Sequence, residues 1–209
     1  MKKMIVYAFL LFPCSRLLAQ ADVLIRNGRI IDGSGNSWYY GDLAIKDGKI
    51  LRAGNTGDIT ASKVIDASGL VLAPGFIDVH GHIEGSIFER PTSDNYIFDG
   101  VTTVITGNCG GSADDLKDFF RRIDSARTSI NVASLVGHNT VRRLAMGLED
   151  RKAGKEEQAR MESLVEKAMR DGAVGLSTGL IYLPGMYGNT AEVEGLARAT
   201  ARYHGVYAS

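Results

Sequence analysis

Beyond residue 70 the sequence alternates short apolar runs with longer amphipathic segments, and this alternation constrains the fold more than any other feature. Amphipathic helices are predicted over residues 155–170 and 190–204, because apolar residues recur there at helical spacing. The predicted strands are residues 70–79, 101–106, 130–136, 173–177 and 205–209. Strands that alternate with helices predict an α/β fold in which helices cover a parallel sheet.

The strand count favours part of a closed barrel. The five predicted strands correspond to about the first five of a (β/α)₈ TIM-type barrel. Such a barrel takes roughly 250 residues to close, whereas about 140 follow residue 70. We therefore expect residues 71–209 to form an incomplete barrel, the first part of the catalytic domain of a larger enzyme. The alternative, an open five-stranded sheet, would leave residues 205–209 as an unprotected edge strand.

The first 21 residues have the order of a secretory signal peptide. Two lysines precede an apolar run over residues 4–12, and small residues suited to cleavage follow at 19–21. That run is too short to span a bilayer and no later segment is apolar enough, so we expect no membrane span after signal removal. The mature protein is expected to be periplasmic or secreted. The alternatives are a buried N-terminal element and a lipoprotein anchored through Cys14, which Pro13 disfavours.

Residues 22–70 carry turn signals between short alternating runs. Asn27-Gly28 and Asp47-Gly48 are dipeptides that accept positive φ and favour hairpins. This region is predicted to be a small antiparallel β unit.

The charge balance argues against one class of partner. The chain has 24 lysines and arginines against 24 aspartates and glutamates. Because no bulk positive charge results, we expect no nucleic-acid partner.

Two histidines follow the first predicted barrel strand. His80 and His82 are two residues apart, which places their side chains on one face of a strand end. Imidazole nitrogen is a common zinc ligand, and barrel enzymes carry their chemistry at the carboxyl ends of the strands. The pair therefore predicts a metal site, although it is also compatible with two polar residues at a strand exit. Asp78 lies deeper on the same face, to orient a ligand or to accept a structural hydrogen bond.

Cys109 follows the next strand in a glycine-rich loop. If the signal peptide is removed, it is the only cysteine that remains. A thiolate is a strong zinc ligand that can bridge two ions, and the histidine pair is predicted to share its rim, so we assign Cys109 to the metal. The alternatives are a small buried apolar side chain and a thiol nucleophile paired with His138.

Two further residues are candidate substrate contacts. His138 follows the third barrel strand, where it would support a ligand, face the substrate or cap a loop. Tyr182 follows the fourth, where its hydroxyl would donate to an anionic substrate group or its ring would pack in the loop.

Three segments resemble a known family. The segment APGFIDVHGH at residues 73–82 is similar to the first-strand motif of the amidohydrolase superfamily. GVTTVITGNCG at 100–110 and GAVGLSTGLIY at 172–182 resemble its D-aminoacylase (N-acyl-D-amino-acid deacylase) branch. Residues 22–52 are also similar to the N-terminal β-sandwich portion of that branch, which C-terminal strands complete.

The resemblance implies a zinc-dependent hydrolase that splits a linear N-acyl-D-amino acid, a small molecule, into a carboxylate and a free D-amino acid. It implies that His80, His82 and Cys109 bind one or two zinc ions, the cysteine replacing the carboxylated lysine of other relatives. It also implies that Tyr182 lies near the substrate carboxylate. Two more histidine ligands and an aspartate acid/base would follow Ser209, so the catalytic residue is not assigned and this chain alone is expected to be inactive.

Three alternatives remain at this point. One is a metal-dependent hydrolase of cyclic amides or acyl-peptides, because few specificity loops fall within the sequence. Another is an exported barrel protein without catalysis. The third is a thiol hydrolase that uses Cys109 and His138.

Overall fold

The structure, a computed structural model, describes residues 21–209. The predicted signal peptide therefore lies outside the described residues, apart from Ala21, which begins the first strand. The chain divides into two compact units, of which the first ends at Pro74 and the second is Gly75–Ser209. No helix in the described part of the chain has both the length and the apolar character needed to cross a bilayer.

The N-terminal unit is one five-stranded sheet. Its strands are β1 (Ala21–Ile30), β2 (Tyr39–Lys46), β3 (Lys49–Gly54), β4 (Ala61–Asp66) and β5 (Val71–Leu72). The order is β3-β2-β1-β4, and β5 also pairs with β1. The first three strands are antiparallel as predicted, but β4 and β5 run parallel to β1, so the sheet is mixed. Its small core contains Leu24 and Ala44, both with no exposed surface.

The two turn signals of this unit have different outcomes. Asp47 and Gly48 both have positive φ and join β2 to β3 as a two-residue hairpin, as predicted. Asn27-Gly28 does not form a turn. It lies inside β1, where Asn27 has φ 63° and the pairing with β2 slips between Ile25 and Gly28. The prediction was wrong because a positive φ serves a β-bulge as well as a hairpin turn.

The second unit has a curled parallel sheet covered by helices, which confirms the predicted α/β fold with part of a TIM-type barrel. Its strands are β6 (Phe76–Asp78), β7 (Val101–Thr106), β8 (Asn131–Gly137), β9 (Gly175–Ser177) and β10 (Val206–Ala208). They pair in sequence order, each parallel to the next. Their carboxyl ends therefore meet along one rim.

Six α-helices belong to this unit. They are α1 (Ser86–Glu89), α2 (Asp94–Ile97), α3 (Leu116–Ala126), α4 (His138–Met146), α5 (Lys155–Arg170) and α6 (Thr190–Ala201). The bounds of α5 match the prediction, whereas α6 ends three residues early. The segment between β6 and β7 contains only the short helices α1 and α2, each of four residues.

The predicted strand 70–79 is two short strands in different sheets. Pro74-Gly75 lies between β5 and β6 and separates the two strands. Proline has no backbone N–H to donate to a ladder, so pairing stops there and resumes with a different partner.

The core of the barrel unit lies between the sheet and the helices. Val104, Val136 and Leu176 point outward from three adjacent strands. They belong to one cluster with side chains of α3, α5 and α6, among them Phe119, Met161, Val165 and Leu196. The apolar spacing that predicted α5 thus coincides with the face it buries.

We predict that Met161→Ala lowers the free energy of unfolding by about 2–5 kcal/mol, because Met161 has no exposed surface and truncation leaves a cavity. Chemical denaturation followed by circular dichroism measures the change. Ser163→Ala, an exposed site on the same helix, is the control and should shift stability by no more than about 0.5 kcal/mol. Equal effects at the two positions would contradict the core assignment.

Candidate metal centre

Three predicted ligand side chains lie together at the carboxyl ends of β6 and β7. The candidate ligand atoms of His80, His82 and Cys109 all lie within 4.8 Å of one another. Cys109 Sγ is 3.3 Å from His80 Nε2, and the two imidazole rings meet edge to face with centroids 5.4 Å apart. Within residues 21–209 this is the only cluster of three or more His, Cys, Asp or Glu side chains close enough to share an ion.

The chemistry of this donor set fits zinc. Two imidazole nitrogens and one sulfur are among the commonest zinc ligands in proteins. Both histidines are exposed and Cys109 is half-buried, so the donors face solvent rather than the core. Such a set leaves coordination positions for other groups, as catalytic sites require and closed structural sites do not.

The turn after β6 holds the two histidines. Asp78 accepts a hydrogen bond from the backbone N–H of His80 at 3.0 Å, which is the structural role considered for it. The N–H of Gly81 donates to the carbonyl of Ile105 at 2.9 Å. A Cβ on Gly81 would lie 2.3 Å from Val104 Cγ1, so only glycine fits between the histidines at this approach to β7.

Cys109 has a backbone conformation that is uncommon for a residue with a side chain. Its φ is 54°, and Gly107 and Gly110 on either side have φ 77° and 76°. A non-glycine residue in the left-handed region is strained, and such residues cluster at functional sites. The strain has to be balanced by contacts of the loop with its surroundings.

Hydrogen bonds from the end of β9 and from the first turn of α4 supply those contacts. Ser177, the last residue of β9, accepts from the N–H of Gly110 at 3.0 Å and donates to the carbonyl of Gly107. The N–H of Thr140 donates to the carbonyl of Gly110. The cysteine loop is therefore anchored to both β9 and α4.

Glu84 lies in the polar loop after the histidine pair, where an acidic side chain is more often solvated than functional. Its Oε1 accepts from the N–H of Gly107 at 2.8 Å, so it ties the segment after the histidines to the cysteine loop. A lone acidic residue in a polar loop gives no signal of this kind in the sequence. Ser177 was likewise missed, because it reads as the last residue of an apolar strand.

Tyr182 shares a pocket with the donor set. The pocket has a volume of about 350 Å³ and is lined by His82, Cys109, Arg143, Tyr182 and Leu183, among others. Tyr182 is 55% exposed, so the residue is largely accessible from solvent. The structure thus brings Tyr182 to the same opening as the three donors.

His138 is not brought to that opening. It is the first residue of α4 and has no exposed surface. Its Nε2–H donates to Glu192 Oε1 at 2.7 Å, and neither ring nitrogen hydrogen-bonds to Cys109. The sulfur instead lies beside His80, which gives no support to a thiol nucleophile paired with His138.

Glu192 accepts hydrogen bonds from two buried side chains, those of His138 and Arg142. This role was not predicted from the sequence. Glu192 lies in the first turn of α6 and accepts from Arg142 Nη1 at 2.5 Å, with both side chains almost fully buried. Burial by itself raises the pKa of this carboxyl, but the hydrogen bonds from His138 and Arg142 outweigh it and hold the pKa below its usual value. An acidic residue in a first helical turn ordinarily indicates a dipole contact at the surface, so its burial could not be predicted from its position in the sequence.

Comparison with known proteins agrees with this architecture. The amidohydrolase family matches residues 63–207. Two relatives from Alcaligenes xylosoxydans xylosoxydans are a D-aminoacylase, 35% identical over 90% of this chain and 44% of the relative, and an N-acyl-D-aspartate deacylase, 36% identical over 84% and 40%. The chain therefore spans less than half of the length of these relatives.

Solved structures of similar proteins lead to the same branch. One is the N-acyl-D-glutamate deacylase of Bordetella bronchiseptica complexed with zinc and a phosphonate that mimics the tetrahedral intermediate. It superposes with a TM-score of 0.86 at 37% identity, over 90% of this chain and 44% of that one. A D-aminoacylase studied for its binuclear metal centre gives 0.86 at 29% identity, over 90% and 45%. The resemblance to the D-aminoacylase branch predicted from the motifs is confirmed.

We predict that Glu192→Gln destabilises the protein at neutral pH by about 3 kcal/mol, because it leaves Arg142 buried without a charged partner. Since the pKa of Glu192 is depressed on folding, its stabilisation is present above the ordinary value of 4.5 and is lost as pH falls through the folded-state pKa. The difference between the two proteins should therefore shrink in acid. Unfolding free energies measured between about pH 7 and 3 test this.

The control is Glu194→Gln on the same helix. Glu194 is exposed and pairs with Arg198 at 3.6 Å, so its loss should change stability by less than about 1 kcal/mol. A Glu192 difference that stays constant from neutral to acid pH would show that its charge does not stabilise the fold.

Proposed function

The chain belongs to the amidohydrolase family, and we propose that it supplies part of the active site of a zinc-dependent hydrolase that cleaves N-acyl-D-amino acids into a carboxylate and a free D-amino acid. The observation that carries the proposal is the convergence of His80, His82 and Cys109 within 4.8 Å at the carboxyl ends of two barrel strands. The barrel unit around them is similar to that of a deacylase whose structure contains zinc.

His80, His82 and Cys109 would hold the metal through two neutral imidazoles and a thiolate. Zinc held there would act as a Lewis acid that polarises the amide carbonyl and acidifies water. The thiolate carries negative charge, so it offsets part of the charge of one ion or of two. The turn at Asp78 and the loop anchored by Ser177 would keep these donors in place before any ion arrives.

The substrate would lie in the pocket that the donors share with Tyr182. The exposed hydroxyl of Tyr182 would donate a hydrogen bond to the carboxylate of the amino-acid part. Leu148 and Leu183 give the same pocket apolar walls that exclude water from part of the substrate. His138 would act indirectly, because its side chain is buried against Glu192 rather than in the pocket.

The remaining groups are proposed from the resemblance. Two further histidine ligands and the aspartate that passes a proton to the leaving amine would come from residues beyond Ser209. The 209-residue chain by itself is then expected to be inactive. We also propose a periplasmic or secreted location, on the basis of the signal-like order of residues 1–21.

We predict that the 209-residue chain binds zinc and that Cys109→Ala weakens this binding about 100-fold, because removing one of three donors removes a metal–sulfur bond. Competition titration against a zinc chelator measures the affinity. Ser125→Ala, at an exposed position of α3, is the matched small-residue control and should bind as the unsubstituted chain does. Equal affinity of the Cys109 variant would remove the thiolate from the site.

We predict that the complete gene product hydrolyses N-acetyl-D-amino acids and leaves the L enantiomers intact, that chelation abolishes this activity and that added zinc restores it. Amine release from both enantiomers is the measurement. Cys109→Ala should lose the activity together with bound metal. Activity that survives chelation but is lost on thiol alkylation would favour a thiol hydrolase, and absence of activity on every D substrate would overturn the deacylase assignment.

A further inference from the structure

Asn108 lies between the two segments that carry the donor set. It directly precedes Cys109 and is 3% exposed. Its side-chain amide Nδ2 donates to the carbonyl of Ile105 at 2.9 Å and lies 3.4 Å from the carbonyls of both Val79 and Gly81. The Ile105 contact is a well-formed hydrogen bond, and the other two are long.

The two long contacts of Asn108 are with backbone carbonyls that flank His80. Val79 and Gly81 are the residues on either side of His80, and Gly81 separates His80 from His82. One amide group, whose two hydrogens can be shared among three acceptors, therefore faces the backbone on both sides of a histidine donor. The same residue is covalently joined to Cys109, so a single side chain relates the position of the thiol to that of the imidazoles.

We propose that Asn108 is a positioning residue that fixes the distance between the histidine pair and the thiol of Cys109. The inference rests on the proposed function in one respect, namely that these three side chains bind zinc. Asn108 lines the pocket, but it is not a candidate ligand, because its amide nitrogen is directed to three backbone carbonyls. Its effect on the metal is through the geometry of its neighbours.

Other contacts hold the same two segments together without setting the donor distance. Gly81 N–H donates to the carbonyl of Ile105, and Glu84 accepts from the N–H of Gly107. Because these bonds remain when Asn108 is changed, the fold should survive its substitution. The substitution removes the contacts of Asn108 Nδ2 with the carbonyls of Val79 and Gly81, which connect the turn at Cys109 to the backbone on both sides of His80.

Two substitutions separate the possible contributions of the side chain. Asn108→Asp keeps the shape but turns a carboxylate oxygen toward three carbonyl oxygens, which pushes the segments apart. Asn108→Ala removes the tie without adding repulsion. In the full-length protein we expect zinc affinity to fall about 10- to 100-fold in both, the range seen when groups that orient metal ligands are removed. With cobalt(II), the thiolate-to-metal charge-transfer band should weaken, since it reports the Cys109–metal bond directly.

Asn131→Asp is the matched control. Asn131 Nδ2 also donates to a backbone carbonyl of a neighbouring strand, that of Thr102, at 3.0 Å, but at the amino end of β8. This variant should keep both the zinc affinity and the cobalt band of the unsubstituted protein. Circular dichroism and unfolding midpoints identify variants that retain the fold.

A double-variant cycle distinguishes positioning from general loosening. In a Cys109→Ala background, Asn108→Ala should leave the remaining zinc affinity nearly unchanged, because there is no thiol left to position. A merely structural role would lower the affinity by the same factor in both backgrounds, and that result would overturn the proposal.

The remaining outcomes are also decisive. If the unsubstituted protein binds no zinc, the proposed function itself fails. If it binds zinc and the Asn108 variants bind equally well with an unchanged cobalt band, only the positioning role is overturned. If neither variant folds, hydrogen exchange of the Asn108 side-chain amide in the unsubstituted protein decides, since zinc should slow it and an unchanged rate would contradict the proposal.

Discussion

The arrangement at the rim depends on the loop around Cys109, which is held in a conformation that it would not adopt alone. Three of its residues have positive φ, and one of them is a cysteine. The compensation comes from the hydroxyl of Ser177, which bonds to the backbone at both ends of the turn, and from Thr140. A strained loop fixed in this way presents its sulfur in one direction, which is what a donor in a preorganised site requires.

A second constraint is the buried ion pair of Arg142 and Glu192, which lies away from the solvent-exposed donors. Glu192 joins the beginning of α6 to α4 through His138 and Arg142, and Arg142 continues to the carbonyl of Arg151. A buried charge is tolerated only where its partners are also present, so these contacts favour the packing of α4 against α6 that keeps Arg142 beside Glu192. Since α4 also supplies Thr140, the buried ion pair and the cysteine loop belong to one connected support.

Sequence patterns predicted the parts of this structure that are set by local periodicity. The β-branched run of β7 and the apolar spacing of α5 gave bounds that the structure reproduces. They failed where a local signal has two structural uses, as at Asn27-Gly28, or where a proline ends one ladder and lets another begin, as at Pro74. The three donors were recognisable because each is a metal-binding residue type placed just after a strand.

The supporting residues could not be predicted, for a physical reason. Asn108, Glu84 and Glu192 act through partners 20 or more positions away in the sequence, and Arg142 and Glu192, for example, are 50 positions apart. Their residue types are those of ordinary loops and surfaces. Only the tertiary fold determines that Asn108 and Glu192 are buried and that all three side chains are paired. His138 shows the converse, because a histidine after a barrel strand suggests chemistry while the fold directs it into the core.

The candidate donors come from two neighbouring strands, and His80 and Cys109 are only 29 positions apart in the sequence. The entropy of closing such a loop is modest, and a chain emerging from the ribosome folds from its N-terminal end. All three candidate donors precede β8 in the sequence and are synthesised before it. Thr140 and Ser177, which hydrogen-bond to the cysteine loop, are translated later. During biosynthesis the candidate ligands therefore precede the residues that hold the cysteine turn, so a nascent chain that ends before Thr140 carries all three side chains without the hydrogen bonds that fix Cys109.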